Sequence, residues 1–269
     1  MLRFRSRNAI PAALLFAGLT AAAVPLEAHP TTDPDPPSAS APSLRASAGP
    51  DFLFGAPHGS LSFRVGHLFA RTAGGVFERT FANLTVEPDD FDGLAFGADL
   101  ALRVVERADL VVGVGLARAS VNSEFRHWVD ENDQPIRQTT RLRQIPVTLG
   151  ARLYLTPRGR AISRFAWIPA RTTFYVSGGA GLIHHVYEQA GEFVDENNLD
   201  IFADEMRSSG WSSLAYVGAG AEWRVTTRAA LLADVRYTRG SARAAGDFSA
   251  WEDIGLGGLT TSLGVALTF

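Results

Sequence analysis

The sequence predicts an all-β fold, an eight-stranded antiparallel β-barrel that crosses a membrane on its strands. Three observations predict it. Large apolar residues alternate with small or polar ones at a period of two in eight separate segments. Each segment is about as long as the 9–11 residues that a tilted strand needs to cross a bilayer. The connections between segments run alternately short and long, the pattern of transmembrane barrels.

The segments follow in chain order. Leu61, Phe63, Val65 and Phe69 alternate with Ser60, Ser62, Arg64 and Gly66. Leu94, Phe96, Leu100 and Leu102 alternate with Gly97, Asp99, Ala101 and Arg103, and Leu110, Val112 and Val114 with Gly113 and Gly115. Val147, Leu149 and Leu153 oppose Thr148, Gly150, Arg152 and Tyr154; Phe174, Val176 and Leu182 oppose Tyr175, Ser177, Gly179 and Gly181. Val217 and Trp223 oppose Gly218, Gly220, Glu222 and Arg224, and Leu231, Val235 and Tyr237 oppose Asp234, Arg236 and Thr238. The last runs from Leu259 through Leu263, Val265 and Leu267 to Phe269, where the chain ends. An even number of strands closes an antiparallel ring without leaving an edge in lipid.

Alternation by itself also fits a soluble lipocalin-like barrel, with the apolar face turned inward. The composition of the other face decides. Gly, Ala, Ser and Thr with single charges make a poor solvated surface and a good filling for a narrow lumen. Aromatics near the segment ends suit the two interfacial girdles of a membrane barrel. The inward charges are then Arg64, Asp99, Arg103, Arg152, Glu222, Arg224, Asp234 and Arg236. They should form a lumen charge network, with a positive excess because five are arginines and three are carboxylates.

Connections set the expected orientation. Tight turns lie at 106–109 and 226–229. The connections after the first, third, fifth and seventh segments are long and acidic, with Asp89, Asp90 and Asp92, then Asp130, Glu131 and Asp133, then Asp195 to Glu205, then Asp247, Glu252 and Asp253. Short turns face the periplasm and long loops the exterior, which puts the N- and C-termini in the periplasm. One connection breaks this rule. The stretch 156–171 carries Arg158, Arg160, Arg164 and Arg171 around Ile162, Phe165, Trp167 and Ile168. It reads equally well as a lipid-interface segment or as a loop packed on the barrel floor.

The chain begins with a secretory signal over 1–28. Arg3, Arg5 and Arg7 precede an apolar run from Ala9 to Val24, with cleavage expected after Ala23 or Ala28. Interrupted by Pro11, the run is shorter than the roughly 20 residues of a spanning helix. A flexible leader rich in Pro, Ser and Ala follows over 29–50, and the barrel occupies 51–269.

From about Asp51 to Phe269 the chain resembles the outer-membrane β-barrel domain family of small eight-stranded barrels, which includes OmpA-like and OmpW-like proteins. The terminal alternation ending in Phe269 and the glycine-containing strands carry the resemblance. It implies an outer-membrane location in a Gram-negative-type envelope, contact with outer-membrane lipids and lipopolysaccharide, and Phe269 as the assembly signal read by the barrel assembly machinery. The Arg-rich turn departs from the short turns of the simplest members.

Chemistry is mostly excluded. Cysteine is absent from the 269 residues, which removes disulfides, thiolate metal sites and thiol nucleophiles. Every basic residue is arginine, which removes the P-loop lysine and Schiff-base chemistry. A formal charge of −3 gives no nucleic-acid footprint. Gly178, Gly179 and Gly181, like Gly218 and Gly220, miss the dinucleotide spacing and lie within strands. His184 and His185 are adjacent on a strand, point to opposite faces and so share no metal. No Ser–His–carboxylate arrangement stands out. The expectations are no catalytic residues, no cofactor, no metal, no nucleic acid, and a monomer that is not an enzyme. Function is expected to be structural or surface-interacting, with a rigid barrel presenting long acidic loops. The alternatives are a narrow passive channel for small or hydrophobic solutes and, remotely, a lipid A-modifying enzyme.

Overall fold

The computed structural model describes residues 52–163, 165–195 and 200–269. The readings of 1–28 and 29–50 lie outside the described residues, as does Arg164. In chain order the elements are β1 (Gly59–Ala70), α1 (Gly75–Asn83), β2 (Gly93–Val105), β3 (Ala108–Val129), β4 (Pro135–Tyr154), β5 (Gly159–Ser163), β6 (Ala166–Pro169), β7 (Thr172–Val194), β8 (Ile201–Arg224), β9 (Ala229–Arg243) and β10 (Asp253–Thr268).

Eight strands close into one antiparallel ring in the order β1-β10-β9-β8-β7-β4-β3-β2. Its first and last strands pair from Ser60↔Thr268 to Ala70↔Gly258. Closure leaves the ring without an unpaired edge, the condition for a backbone to sit in hydrocarbon. The end that holds Gly59 and Phe269 is called here the closing end, and the other the hairpin end. β5 and β6 form a separate two-stranded sheet in the connection between β4 and β7, tied to Leu53 by a bridge at Trp167.

The period-two alternation sorts the side chains as the sequence predicts. Phe63, Val65, Leu94, Phe96, Val112, Val114, Leu149, Val176, Val217, Leu231, Leu263 and Val265 are all exposed on the outside of the ring. An aromatic girdle edges this belt at each end. Phe174, Trp223 and Phe269 lie toward the closing end, and Phe69 and Tyr237, both paired with Leu259, lie toward the hairpin end. Small inward residues leave room for large ones. A Cβ on Gly113 would sit 2.5 Å from Asp99 Oδ1 and 2.8 Å from Thr148 Oγ1, so only glycine lets the carboxylate approach the wall.

The hairpins differ from expectation. β3, β4, β7 and β8 are 22, 20, 23 and 24 residues long, roughly twice a bilayer-spanning strand. Acidic connections expected as loops are therefore largely strand. Asp130 and Asp133 close a tight turn through Asp130 N→Gln134 O and Asp133 N→Asp130 O, while Asp204 and Glu205 lie within β8. Alternation persists there in a polar form, with Thr, Gln, Ser and Arg in place of Leu and Val, so backbone pairing continues after the apolar signal stops. The outward side is polar and solvated, while the inward side stays buried, with Ile136, Gln138, Thr140, Tyr187 and Gln189 all nearly inaccessible.

The main hydrophobic core lies at the hairpin end. α1 buries Val76, Phe77 and Thr80 on one face. They meet Phe91 and Phe248 from the other connections and Leu142, Ile183, Tyr187, Ile254 and Leu256 from the strands. Phe77 makes edge contacts with Phe91 at 5.1 Å and with Tyr187 at 5.8 Å between ring centroids. Burying each such ring stabilises by about 1.5–3 kcal/mol, which offsets the cost of ordering a helix of nine residues. Arg126 secures the end of α1, its guanidinium donating to Leu84 O at 2.6 Å and Phe81 O at 3.0 Å.

Candidate functional site

The lumen is the candidate site, and groups of side chains of different chemistry occupy its two ends. Toward the closing end lies an ion-pair network. Arg64 donates to Asp99 at 2.9 Å and to Asp234 at 2.8 Å. Arg236 reaches Asp99 at 3.3 Å and Asp234 at 3.8 Å. Arg152 lies 3.2 Å from Glu222 and 3.6 Å from Asp99. The side chains of Asp99, Asp234 and Arg152 are 0%, 1% and 2% exposed, so water does not screen these pairs.

Tyrosines complete the network. Tyr175 donates to Asp234 at 2.9 Å and Tyr154 to Glu222 at 3.0 Å. The Arg152 guanidinium lies 4.4 Å from the Tyr175 ring centroid, and Arg236 lies 4.6 Å from that of Tyr216. These contacts supply the extra hydrogen bonds and cation–π attraction that a buried charge network needs against its desolvation cost.

Six of the inward charges named from sequence meet here: Arg64, Asp99, Arg152, Glu222, Asp234 and Arg236. The other two do not. Arg103 sits at the rim, with no ion-pair partner among the described residues. Arg224 donates to Thr268 Oγ1 at 3.2 Å rather than to a carboxylate. The meeting charges are thus three arginines and three carboxylates, and the expected positive excess is confined to the rim.

A further pair escaped the sequence reading. Asp109, assigned there to a turn, points inward from β3 and takes an ion pair of 2.7 Å from Arg158. Arg158 comes from the connection 156–171, stacks 4.2 Å from the Tyr154 ring centroid and is buried. In that connection Arg158 is packed on the floor of the barrel, while Ile162 and Phe165 are exposed. Parity counted from Val111 would have turned Asp109 inward, but nothing local announces Arg158.

At the hairpin end the seal is the aromatic lid of Phe77, Phe91 and Phe248 over Tyr187. The Tyr187 hydroxyl is 2.8 Å from Thr80 Oγ1 and accepts from Gln189 Nε2 at 3.0 Å. Between lid and network is a cavity of about 90 Å³, lined among others by Arg64, Gln144, Thr148, Ile183 and Arg236. His185 is buried, pointing inward, while His184 packs outward against Trp211 at 5.1 Å.

A closed ring of strands, an exposed apolar belt edged by aromatic girdles and a polar, side-chain-filled interior define a transmembrane β-barrel of the bacterial outer membrane. Solved barrels of this size resemble it at low identity. Neisserial surface protein A is 11% identical, with 78% of this chain and 97% of that one covered at a TM-score of 0.47. Ail, the attachment invasion locus protein of Yersinia pestis, is 12% identical over 79% and 99% at 0.38. The N-terminal β-barrel domain of Pseudomonas aeruginosa OprF is 16% identical over 80% and 100% at 0.34. No family model and no curated protein matches the chain.

Proposed function

We propose that this protein is a non-conducting outer-membrane anchor whose rigid barrel presents two long hairpins at the cell surface. The observation that carries this reading is the lumen, occupied by the ion-pair network at one end and by the aromatic lid at the other. A pathway for solute would have to break both. The hairpins β3–β4 and β7–β8 run on beyond the apolar belt, and loops on a rigid scaffold are where surface recognition resides. In this reading the closing end and both termini face the periplasm, the barrel is a monomer and not an enzyme, and the assembly machinery recognises Phe269.

A planar bilayer recording tests it. The wild-type barrel is expected to show no stepwise conductance with small inorganic ions. Sustained open-channel steps would replace this reading with the passive channel.

A further inference from the structure

The outer wall changes character abruptly on two neighbouring strands. Going toward the hairpin end, the outward residues of β3 run Val112, Val114, Leu116 and then Arg118, and those of β4 run Leu149, Val147, Ile145 and then Arg143 and Arg141. Arg118 and Arg143 are direct register partners. Like charges directly opposite each other on an antiparallel pair repel, and among the described residues neither arginine has an ion-pair partner. Arg141 faces Glu188 across β4–β7, but Glu188 is engaged with Arg207 at 3.3 Å. Among the described residues Arg118, Arg141 and Arg143 form no ion pair, and the buried Nε of Arg143 has no partner. Three arginines therefore share the outward face at the edge of the apolar belt, and none of them has an ion-pair partner among the described residues.

The wall beneath them is loosened. No β3–β4 register pair exists between Val114↔Val147 and Ala117↔Gln144, where Pro146 has no N–H to donate. Below the arginines the outward wall is apolar, with Leu116 and Ile145 followed by Val114 and Val147. A cationic cluster above an apolar wall fits an amphiphile better than a free ion, because the wall adds contact for a chain.

We propose that Arg118, Arg141 and Arg143 form a headgroup site for a lipid phosphomonoester in the leaflet at the hairpin end. Planar guanidiniums bind phosphate oxygens through paired N–H donors. The phosphate replaces the missing counter-charge, and the first acyl chain lies along Leu116 and Ile145. This inference rests on the membrane-anchor reading above, which places the belt edge at the lipid interface.

The test is native mass spectrometry of the full chain in a zwitterionic detergent, titrated with dioleoyl phosphatidic acid or with dioleoyl phosphatidylcholine. The variants are R118Q/R143Q and, as a control outward arginine on β9, R239Q. Heat-dependent gel migration checks that each is folded. Phosphatidic acid is expected to form a single-lipid adduct roughly tenfold more readily than phosphatidylcholine. R118Q/R143Q should abolish that preference and R239Q should keep it, with inorganic phosphate a poor competitor. Equal adducts with both lipids, or an unchanged preference in folded R118Q/R143Q, would overturn the site. Full displacement by inorganic phosphate would overturn the lipid assignment. A chain that stays dispersed after detergent removal would overturn the membrane reading and the headgroup site with it. Failure of the headgroup site alone appears as equal adducts on a detergent-dependent barrel.

Discussion

Arg158 Nη1 lies 2.7 Å from Asp109 Oδ1, joining the β4–β7 connection to the start of β3 inside the closing end of the barrel. Both side chains are nearly inaccessible, at 7% and 0% exposure. Removing one partner of a buried pair strands the other, at about 3–5 kcal/mol. Arg158→Ala should therefore unfold at a clearly lower urea midpoint than wild type, and Asp109→Asn combined with Arg158→Gln should recover a large part of the loss. Equal midpoints for Arg158→Ala and wild type would show that the floor contributes nothing to stability.

Asp234 holds Arg64, Arg236 and Tyr175 together. Asp234→Ala should cost about 3–5 kcal/mol for the same reason, yet leave the barrel closed, because the lid is intact. Conductance should rise only when Phe77→Ala and Phe248→Ala are added. Open steps from Asp234→Ala alone, in the same bilayer recording, would show that the aromatic lid is not a seal.

The outward register of β4 makes its own prediction. Leu149 is exposed within the belt, and arginine near a bilayer midplane costs roughly 2–4 kcal/mol. Glu131, exposed in the β3–β4 turn, serves as the control. Leu149→Arg should lower the denaturant midpoint in lipid, whereas Glu131→Arg should leave it near wild type. Identical midpoints would mean that the belt does not face lipid.

Phe269 closes the ring, its N–H donating to Gly59 O at 3.0 Å while its exposed ring joins the girdle at the closing end. Losing the ring should cost on the order of 1–3 kcal/mol of burial in lipid. The proposed role as an assembly signal predicts a much larger fall in outer-membrane abundance. Phe269→Ala accumulating like wild type in purified outer membranes would remove that role.

Orientation is directly measurable because the chain has no cysteine. Asn132→Cys, at the tip of the β3–β4 hairpin, should react with a membrane-impermeant maleimide on whole cells. Arg228→Cys, in the tight turn between β8 and β9, should react only after lysis. The reverse pattern would invert the barrel.

Much of the fold was legible because its physics is local. A strand turns successive side chains to opposite faces, so the alternation around Val112, Leu149 or Leu263 already separates lipid from lumen. The same parity turned Arg64, Asp99, Arg152, Glu222, Asp234 and Arg236 inward. The continuation of β3, β4, β7 and β8 past the belt was not legible, because there the outward apolar residues that mark a membrane strand give way to Arg, Ser and Thr.

What the sequence by itself determined is the barrel, the number of its strands and which face of each meets lipid, since these follow from a two-residue period. Only the tertiary structure decided which inward charges meet. Arg64 reaches Asp234 across 170 residues of chain, and that distance is set by how the strands are staggered around the ring, which no local pattern records. The same holds for α1, short and weakly patterned, which is stable in the hairpin mouth because Tyr187, Ile254 and Leu256 are there to bury Phe77.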